Sequence, residues 1–313
     1  MHIELLKLVP AVKNYFWGGK KLAANWNKKS QNPTIAETWE LSLHPDGLSK
    51  VESGNYNGKV LKELLDLWGD SATGKSASLF PMFPLLIKFI DTGEISSIQV
   101  HPDDDYAHKN EHQFGKNEAW YILEAEEGAG VYLGFKTKVT KDQVLKSIED
   151  GTLLDLMQFY PVKPGDAFFV PAGTVHCIGA GVTLIEVDKN SNVNYRLFDF
   201  NREVEGKKRE LHIQKALDVA NLEPYSLNKI EPENKAMRQL VTDRYFTVRE
   251  IKNASIFKRQ IDDSFCAVVF LEGEGEITDG LNKYQFKKGD TYFVPAKIPF
   301  KITGNTKFLE IFV

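Results

Sequence analysis

Short runs of alternating apolar and polar residues dominate the chain, and most of them end at Gly, Pro or Asp-Gly. The segment Ile35–Pro45 predicts a strand, because successive side chains of a strand point to opposite faces of the sheet. Closely spaced strands separated by turn residues are typical of a barrel or a sandwich. The pattern predicts a mainly β protein, with strands concentrated in the middle and at the C-terminal end of the chain.

Three stretches have helical spacing instead. Apolar residues recur at helical intervals between Gly58 and Gly69, over Lys141–Tyr160, where Gly151 interrupts the pattern, and over Lys208–Leu222. We therefore expect short helices to be added to the β structure.

One β unit occurs twice. Lys163–Val187 and Lys287–Phe312 share a Lys-x-Gly-Asp turn, a strand that ends in Val-Pro-Ala, and a final apolar strand that carries Glu. Proline cannot donate to a strand ladder, so Val-Pro-Ala marks the same strand end in both copies. A repeat of this kind predicts two related β domains, and we place their boundary in the polar stretch Leu227–Gln239.

The two copies differ in their polar residues. In the ungapped alignment His176 of the first copy meets Phe300 of the second, and Glu118 meets Cys266. The second copy keeps the strand pattern without these polar side chains. His176 and Glu118 are therefore not needed to form the fold, which favours a functional role for them.

Length and charge exclude several classes of protein. A chain of 313 residues suggests about two domains at roughly 100–200 residues each. The net charge of −4 gives no basic field that would attract nucleic acid or an anionic membrane. Two cysteines are too few for a secreted disulfide framework. With no long apolar run or signal peptide, we expect a cytoplasmic protein.

Four ligand-capable side chains begin or end predicted strands. Gln99 and His101 share one face of a strand, Glu118 opens the strand Glu118–Leu123, and His176 opens another. Two imidazoles, a carboxylate and a neutral oxygen suit a catalytic Zn²⁺ or a similar metal with an open position. We expect Cys177 to face away from His176, which argues against a structural zinc site.

A lone histidine in a strand is more often a hydrogen-bonded structural residue than a metal ligand. We assign that role, or a solvated one, to the five remaining histidines: His2, His44, His108, His112 and His212. Gln99 and His101 alone fit a structural role and a metal site equally well. Glu118 and His176 favour the metal, because the second copy lacks both.

Three basic side chains lie in predicted apolar strands or beside a candidate metal ligand. Arg196 alternates with Phe198 and Phe200, and a guanidinium on an apolar face requires an anion. That anion is either a buried carboxylate, such as Glu186 or Asp199, or a substrate phosphate or oxyanion. Lys88 lies inside an apolar run and needs a buried partner or a ligand, so we assign it to substrate binding. Lys116 lies two residues before Glu118 and approaches the same site.

The chain resembles the class I (type I) mannose-6-phosphate isomerases of the cupin superfamily, in their short bacterial form. The resemblance covers residues 1 to about 215 and is specific because seven motifs occur in the family's order. They are Phe16–Leu22, Glu37–Ser49, Ser97–Ala107, Gly115–Leu123, Pro171–Gly181, Tyr195–Arg202 and Arg209–Ile213.

The resemblance implies a fold and an activity. It implies two cupin-type jelly-roll barrels with additional short helices: a catalytic domain over residues 1–230 and a C-terminal domain over 231–313 without metal ligands. It implies interconversion of D-mannose 6-phosphate and D-fructose 6-phosphate through a cis-enediol. The expected partner is thus a small sugar phosphate, neither nucleic acid nor membrane, and we expect a monomer or a weak homo-oligomer.

The resemblance also assigns residues. The zinc ligands of the family correspond to Gln99, His101, Glu118 and His176, which implies one zinc ion per chain. Its active-site arginine corresponds to Arg196, and its motifs place Ser97 and Lys116 near the substrate. The general base is not identified, although Lys116, if the nearby dication lowers its pKa, would serve as a base or a proton relay.

One segment departs from the family pattern. Before Tyr195 the family has Gln-Gln-x-Ser-Asp-x-Thr, whereas this chain has DKNSNVN over Asp188–Asn194, with Asn192 in place of the carboxylate. The same chemistry on another hexose or hexose phosphate therefore stays open. Two further alternatives are a different cupin metalloenzyme and a sugar-binding cupin without catalysis.

Overall fold

The protein folds mainly into β-strands. A computed structural model describes residues 2–226 and 229–313. Leu227 and Asn228, which begin the predicted domain boundary, lie outside the described residues. The N-terminal strands are β1 (Leu6–Val9), β2 (Ala11–Lys13), β3 (Glu37–Leu41), β4 (Lys50–Val51), β5 (Leu85–Asp91), β6 (Ile98–Val100), β7 (Glu118–Ala125) and β8 (Gly130–Phe135).

The middle and C-terminal strands continue this numbering. Those before the boundary are β9 (Met157–Pro161), β10 (Ala167–Val170), β11 (His176–Ile178), β12 (Val182–Lys189), β13 (Tyr195–Phe198), β14 (Glu203–Val204) and β15 (Lys207–Lys208). Those after it are β16 (Lys229–Ile230), β17 (Met237–Thr242), β18 (Thr247–Asn253), β19 (Ile256–Arg259), β20 (Cys266–Thr278), β21 (Lys283–Lys287), β22 (Thr291–Val294), β23 (Phe300–Thr303) and β24 (Thr306–Phe312).

The helices are short. They are α1 (Lys21–Asn25), α2 (Leu61–Trp68), α3 (Asp70–Thr73), α4 (Asp104–Glu111), α5 (Lys141–Asp150), α6 (Leu153–Leu156) and α7 (Ile213–Val219), with 3-10 turns at Gly54–Tyr56 and Ala77–Leu79. No helix in the described ranges is both long and apolar enough to span a membrane.

Among the described residues, three of the four sheets contain five or more strands each. A seven-stranded sheet has the order β16-β10-β7-β12-β5-β3-β2, and a five-stranded sheet has the order β13-β6-β11-β8-β9. A ten-stranded sheet contains the C-terminal strands together with β1 and β4, because β1 pairs with β22 through Leu6 and Phe293. The N-terminal strand thus joins the C-terminal sheet, so the two predicted domains share one hydrogen-bonded sheet.

The sheets are stacked in layers. Trp120 of the seven-stranded sheet and Leu133 of the five-stranded sheet belong to one buried cluster between these sheets. Helices α5 and α7 cover the other face of the five-stranded sheet, where Cys177 packs near Val144 and Leu217. Cys177 therefore lies on the apolar outer face and points away from the space between the sheets, as predicted.

The ladder registers agree with the sequence repeat. Glu118 pairs with Val170 and with Asp188 in the first copy, and Cys266 pairs in the same way with Val294 and Phe312. Gln99 pairs with His176 as Arg259 pairs with Phe300. The second copy therefore carries Arg259, Cys266 and Phe300 where the first carries Gln99, Glu118 and His176.

The predicted strand in Ile35–Pro45 and the helix between Gly58 and Gly69 are confirmed as β3 and α2. Helix α5 begins at a capping box formed by Thr140 and Gln143, and it ends at Gly151, whose φ of 72° suits glycine.

Two helix predictions are too long. Met157–Tyr160 belongs to strand β9, because its aromatic residues pair with β8. The helix predicted over Lys208–Leu222 covers only Ile213–Val219, since Lys208 ends the hairpin β14–β15 and pairs with Glu203.

Candidate metal centre and active site

The sheet geometry brings the four candidate metal ligands together. Gln99 lies on β6 directly across from His176, the first residue of β11. His101 follows β6, and Glu118 opens β7 in the facing sheet. One nitrogen of each imidazole and one oxygen of Glu118 lie within 4.8 Å of one another. Two sheets therefore contribute ligands to a single buried point between them.

Backbone carbonyls orient both imidazoles. His101 Nδ1 donates to the carbonyl of Val193 at 2.9 Å, and His176 Nδ1 donates to that of Thr174 at 2.9 Å. In the neutral imidazole this leaves each Nε2 with a free lone pair. Burial, with the charge of Lys116 next in size, lowers the pKa of His101 to about 4, so the neutral form needed for metal binding predominates near pH 7.

The donor atoms fit a metal ion. His101 Nε2 lies 2.9 Å from Glu118 Oε1 and has no hydrogen-bond partner among the described residues, while Glu118 Oε1 also lies 2.7 Å from Lys116 Nζ. Glu118 Oε2 accepts from Trp120 Nε1 at 2.9 Å and lies 3.8 Å from His176 Nε2. Buried polar atoms rarely lack partners, and a cation bound between two imidazoles and a carboxylate would satisfy them.

Gln99 completes the set only after rotation of its amide. Its Nε2 lies 3.1 Å from His176 Nε2, and its Oε1 accepts from Asn194. A half-turn of the amide exchanges oxygen and nitrogen and directs the oxygen at the same point as the imidazoles.

Two lysines and three carboxylates form a buried charge cluster beside these ligands. Lys88 Nζ lies 2.7 Å from Glu186 Oε1 and 3.0 Å from Asp188 Oδ2. Lys116 Nζ lies 2.7 Å from Glu118 Oε1, 2.9 Å from Asp188 Oδ2 and 3.4 Å from Glu186 Oε1. Lys88 thus has the buried partners that its place in an apolar run required.

The carboxylates keep both lysines charged. Burial by itself would lower the pKa of Lys116, but Asp188, Glu118 and Glu186 outweigh it and hold that pKa well above its usual value. Asp188 and Glu186 likewise outweigh burial and raise the pKa of Lys88. In the metal-free protein the Lys116 ammonium is therefore a proton donor, and a Lys116 pKa lowered by a bound metal stays a prediction.

A cavity of ≈ 370 Å³ opens beside the cluster. Its wall includes six polar residues that bear on function: Lys88, Ser97, Gln99, Lys116, Arg196 and Arg209. The predicted metal ligand Gln99 and the predicted catalytic residue Lys116 therefore both line the cavity. A small polar molecule in this space would contact both the metal ligands and the cations.

Arg196 faces this cavity without an acidic partner. Its guanidinium donates to the carbonyl of Glu210 at 2.7 Å, and it makes no salt bridge among the described residues. Asp199 is occupied instead by Arg202 and Arg209, whose guanidinium groups both bind its carboxylate. Burial, followed by repulsion from Arg209, lowers the pKa of Arg196, so an anion at this position would be stabilising.

The predicted shared face of Arg196, Phe198 and Phe200 is wrong. The ladder with β6 shifts by one residue between Arg196 and Phe198, so Arg196 lies opposite Gln99 while Phe198 lies opposite Ile98. The bulge thus turns Arg196 toward the cavity and Phe198 toward the helix-covered core. Strand β13 ends at Phe198, and Phe200 has a φ of 55°.

A carboxylate still lies beside Asn192, the position that departs from the family pattern. Asn192 Nδ2 donates to Asp46 Oδ2 at 2.7 Å. Asp46 comes from the loop after β3 rather than from the segment that precedes Tyr195. The rim of the cavity at this point therefore carries an amide and a carboxylate side by side.

Three residues of the site were not predicted from the sequence as part of it: Glu186, Asp188 and Arg209. Asp188 lies in the segment that departs from the family pattern, Glu186 is predicted only as a possible partner of Arg196, and Arg209 only as part of a motif. Glu186 and Asp188 alternate on β12, and an alternating acidic pair in an apolar strand beside the buried Lys88 was the available signal. Nothing in the sequence alone indicated that Arg209 reaches the cavity.

Comparisons with known proteins identify the family of this chain. The family model "Phosphomannose isomerase type I, catalytic domain" matches residues 5–131, and "Mannose-6-phosphate isomerase, cupin domain" matches residues 236–313. The mannose-6-phosphate isomerase of Streptococcus mutans is 36% identical over 306 residues, which cover 94% of this chain and 93% of the relative.

Relatives from Bacillus subtilis extend the comparison. A mannose-6-phosphate isomerase of that organism is 34% identical over 317 residues, covering 97% of each chain. The crystal structure of the mannose 6-phosphate isomerase from Bacillus subtilis superimposes with a TM-score of 0.90 at 32% identity, covering 99% of this chain and 100% of that one. The chain therefore belongs to the type I mannose-6-phosphate isomerase family.

Proposed function

We propose that this protein is a metal-dependent aldose–ketose isomerase that interconverts D-mannose 6-phosphate and D-fructose 6-phosphate. The observation that carries the proposal is the convergence of His101, Glu118 and His176 beside a cavity that also presents Lys116 and Arg196. Moving a proton between C2 and C1 of a sugar requires stabilisation of charge on the carbonyl oxygen and a group that handles the proton. The cavity offers candidates for charge stabilisation.

We propose that the metal is one zinc ion per chain, held by Gln99, His101, Glu118 and His176. Two imidazole nitrogens, a carboxylate and an amide oxygen are ligands that zinc accepts, and the absence of thiolates is typical of catalytic rather than structural sites. When bound, the ion would act as a Lewis acid toward a substrate oxygen. The imidazoles are held by Val193 and Thr174, so binding would need little rearrangement.

We propose different roles for the two cations Lys116 and Arg196 at the cavity wall. Lys116 contacts Glu118 and is proposed to donate a hydrogen bond to the reacting end of the sugar and to exchange a proton with it. Arg196 is proposed to bind a negative charge of the substrate, because its guanidinium has no acidic partner among the described residues. Ser97 and Lys88 line the same cavity and are proposed to bind sugar hydroxyls.

We further propose that the chain consists of two cupin-type jelly rolls, with the catalytic unit at residues 1–230 and a unit without metal ligands at 231–313. The equivalent ladder registers of the two copies support this division. At the ligand positions the second unit carries Arg259, Cys266 and Phe300, and Arg259 Nε lies 3.0 Å from Glu310 Oε1. A guanidinium there supplies a fixed positive charge near the site that the metal would have in the first unit.

A coupled assay tests the proposal directly. Purified protein is assayed on mannose 6-phosphate before chelation, after chelation and after zinc is restored, with allose 6-phosphate and free mannose as competing substrates. We expect turnover of mannose 6-phosphate that falls with chelation and returns with zinc. His176→Ala should remove it, whereas His108→Ala, at an exposed histidine of α4, should not. Preferred turnover of another sugar would refute the assigned substrate, and full activity without metal would refute the mechanism.

A further inference from the structure

Asp188 is a fully buried carboxyl group to which the roles above assign no task, and burial, which outweighs the two nearby lysines, raises its pKa to about 8. It lies near the end of β12, two residues after Glu186, so both carboxylates project from the same face. The ladder places it opposite Glu118 on one side and Leu86 on the other. Asp188 therefore occupies the central strand of the cluster, between the strands that carry Lys88 and Glu118.

A single oxygen of Asp188 holds both lysines of the cluster. Its Oδ2 lies 2.9 Å from Lys116 Nζ and 3.0 Å from Lys88 Nζ. Its Oδ1 is buried and has no hydrogen-bond partner among the described residues. The side chain thus acts as one acceptor shared by two ammonium groups, which belong to different strands or loops of the site.

The fold does not require a carboxylate at this position. In the second copy of the repeat the equivalent residue is Phe312, which pairs with Cys266 as Asp188 pairs with Glu118. Burying a carboxylate is unfavourable unless it is paired. The strand ladder forms equally well around an apolar side chain, so packing gives no reason for Asp188.

The contacts of Lys116 show that Asp188 keeps its ammonium group away from Glu118. Lys116 also lies 2.7 Å from Glu118 Oε1, the oxygen that faces His101 Nε2 at 2.9 Å. Without Asp188, the close acidic contact left to the Lys116 ammonium would be Glu118, because Glu186 is 3.4 Å away. The ammonium would then move toward Glu118 and compete for the lone pair that the metal site needs.

We propose that Asp188 is a positioning residue whose carboxylate oxygen fixes the ammonium groups of Lys88 and Lys116 at the cavity wall. Both cations are thereby presented to the substrate and kept from collapsing onto Glu118. The role requires an acceptor oxygen at this position, so an amide should replace the carboxylate in part. Gln, which the family pattern has at this position, also supplies such an oxygen. The inference rests on the proposed isomerase function for its catalytic consequence.

The test compares Asp188→Leu, which removes the acceptor, with Asp188→Asn, which keeps an acceptor oxygen of the same reach. We expect the Leu variant to lose at least ~10-fold in kcat, since it removes an alignment used in the transition state, and to raise KM by a smaller factor, since Lys88 also binds the substrate. We expect the Asn variant to recover most of the loss. Glu310→Gln is the matched control: its carboxylate is also buried and faces two arginines, but in the C-terminal sheet, so kcat should be unchanged.

A second readout does not depend on activity. Buried ammonium groups held by hydrogen bonds exchange protons slowly with water, so Lys88 and Lys116 of the metal-free wild type should give ammonium signals in ¹H–¹⁵N spectra. The Leu variant should shift both signals, because Lys88 would keep only Glu186 and Lys116 would move toward Glu118, whereas the Asn variant should keep them near their wild-type positions. If Asp188→Leu does not fold, Asp188→Ala removes the acceptor without adding volume.

The outcomes are distinct. Unchanged kcat and ammonium signals in the Leu or Ala variant would overturn the inference, as would an Asn variant as impaired as the Leu variant. A wild type that does not convert mannose 6-phosphate would overturn the proposed function, while the ammonium signals would still test the positioning by Asp188.

Discussion

Truncation of Arg196 tests how the cavity recognises negative charge. Its guanidinium is half-buried at the cavity wall, donates to the carbonyl of Glu210 and has no acidic partner among the described residues. Arg196→Ala therefore leaves no carboxylate of the described chain unpaired, and its structural cost is confined to one hydrogen bond and some packing. The loss should appear in catalysis rather than in stability.

The magnitude follows from the site's electrostatics. Removing one well-placed donor from a developing negative charge costs about 10²–10³-fold, or ~2.7–4 kcal/mol. We expect Arg196→Ala to lower kcat/KM by roughly 10²-fold or more. Metal content should be unchanged, because Arg196 pairs with Gln99 through the backbone and its guanidinium bonds to none of the proposed ligands among the described residues. A raised KM at constant kcat would mean uniform phosphate binding, and a lowered kcat would mean stabilisation of charge that develops during the reaction.

The assay is steady-state kinetics on mannose 6-phosphate, with metal analysis and thermal unfolding of the same preparations. Arg196→Lys should restore only part of the activity, because a point charge does not replace the planar guanidinium. Arg244→Ala, at an exposed arginine outside the cavity, is the control. A destabilised Arg196→Ala protein whose folded fraction has normal kcat/KM would refute this reasoning and make Arg196 a structural residue.

Two further predictions concern the histidines. His176→Ala should abolish both metal binding and activity while leaving the C-terminal sheet folded; retention of a full equivalent of metal would contradict the ligand assignment. For metal-free protein, burial lowers the pKa of His101 from 6.5 to about 4, so between these values the unfolded chain binds a proton that the folded chain does not. Wild type should therefore lose roughly 3 kcal/mol of unfolding free energy relative to His101→Asn as pH falls from 6.5 to 4. Parallel pH profiles in urea titrations of the two proteins would contradict the shift.

The sequence predicted the fold and the site best where alternation of apolar and polar residues determines which side chains share a face. The mainly β fold followed from alternation and turn residues, and the proximity of Gln99 to His176 followed from strand phase and the starts of strands. The repeat added a comparison inside the chain, because Cys266 and Phe300 mark positions that need no polar group. These inferences depend on the alternation of side chains along a strand and on the residues at strand ends. Both are visible in the local sequence.

Other features depend on long-range pairing and could not be read locally. The bulge that turns Arg196 away from Phe198 arises from the ladder between β13 and β6, whose register no local pattern specifies. The pairing of β1 with β22 joins residues almost 300 positions apart, as Leu6 with Phe293. The pKa of Lys116 likewise depends on three carboxylates from two strands, only one of which is near it in sequence.

Metal stoichiometry, measured with activity on the same sample, tests the central claim most directly. Protein purified without chelator is analysed for bound metals and assayed on mannose 6-phosphate, before and after removal of the metal. The account predicts about one equivalent of zinc per chain, loss of turnover in proportion to the metal removed, and recovery when zinc is returned. Full turnover by metal-free protein, or metal retained after His101 and His176 are both replaced by alanine, would contradict it.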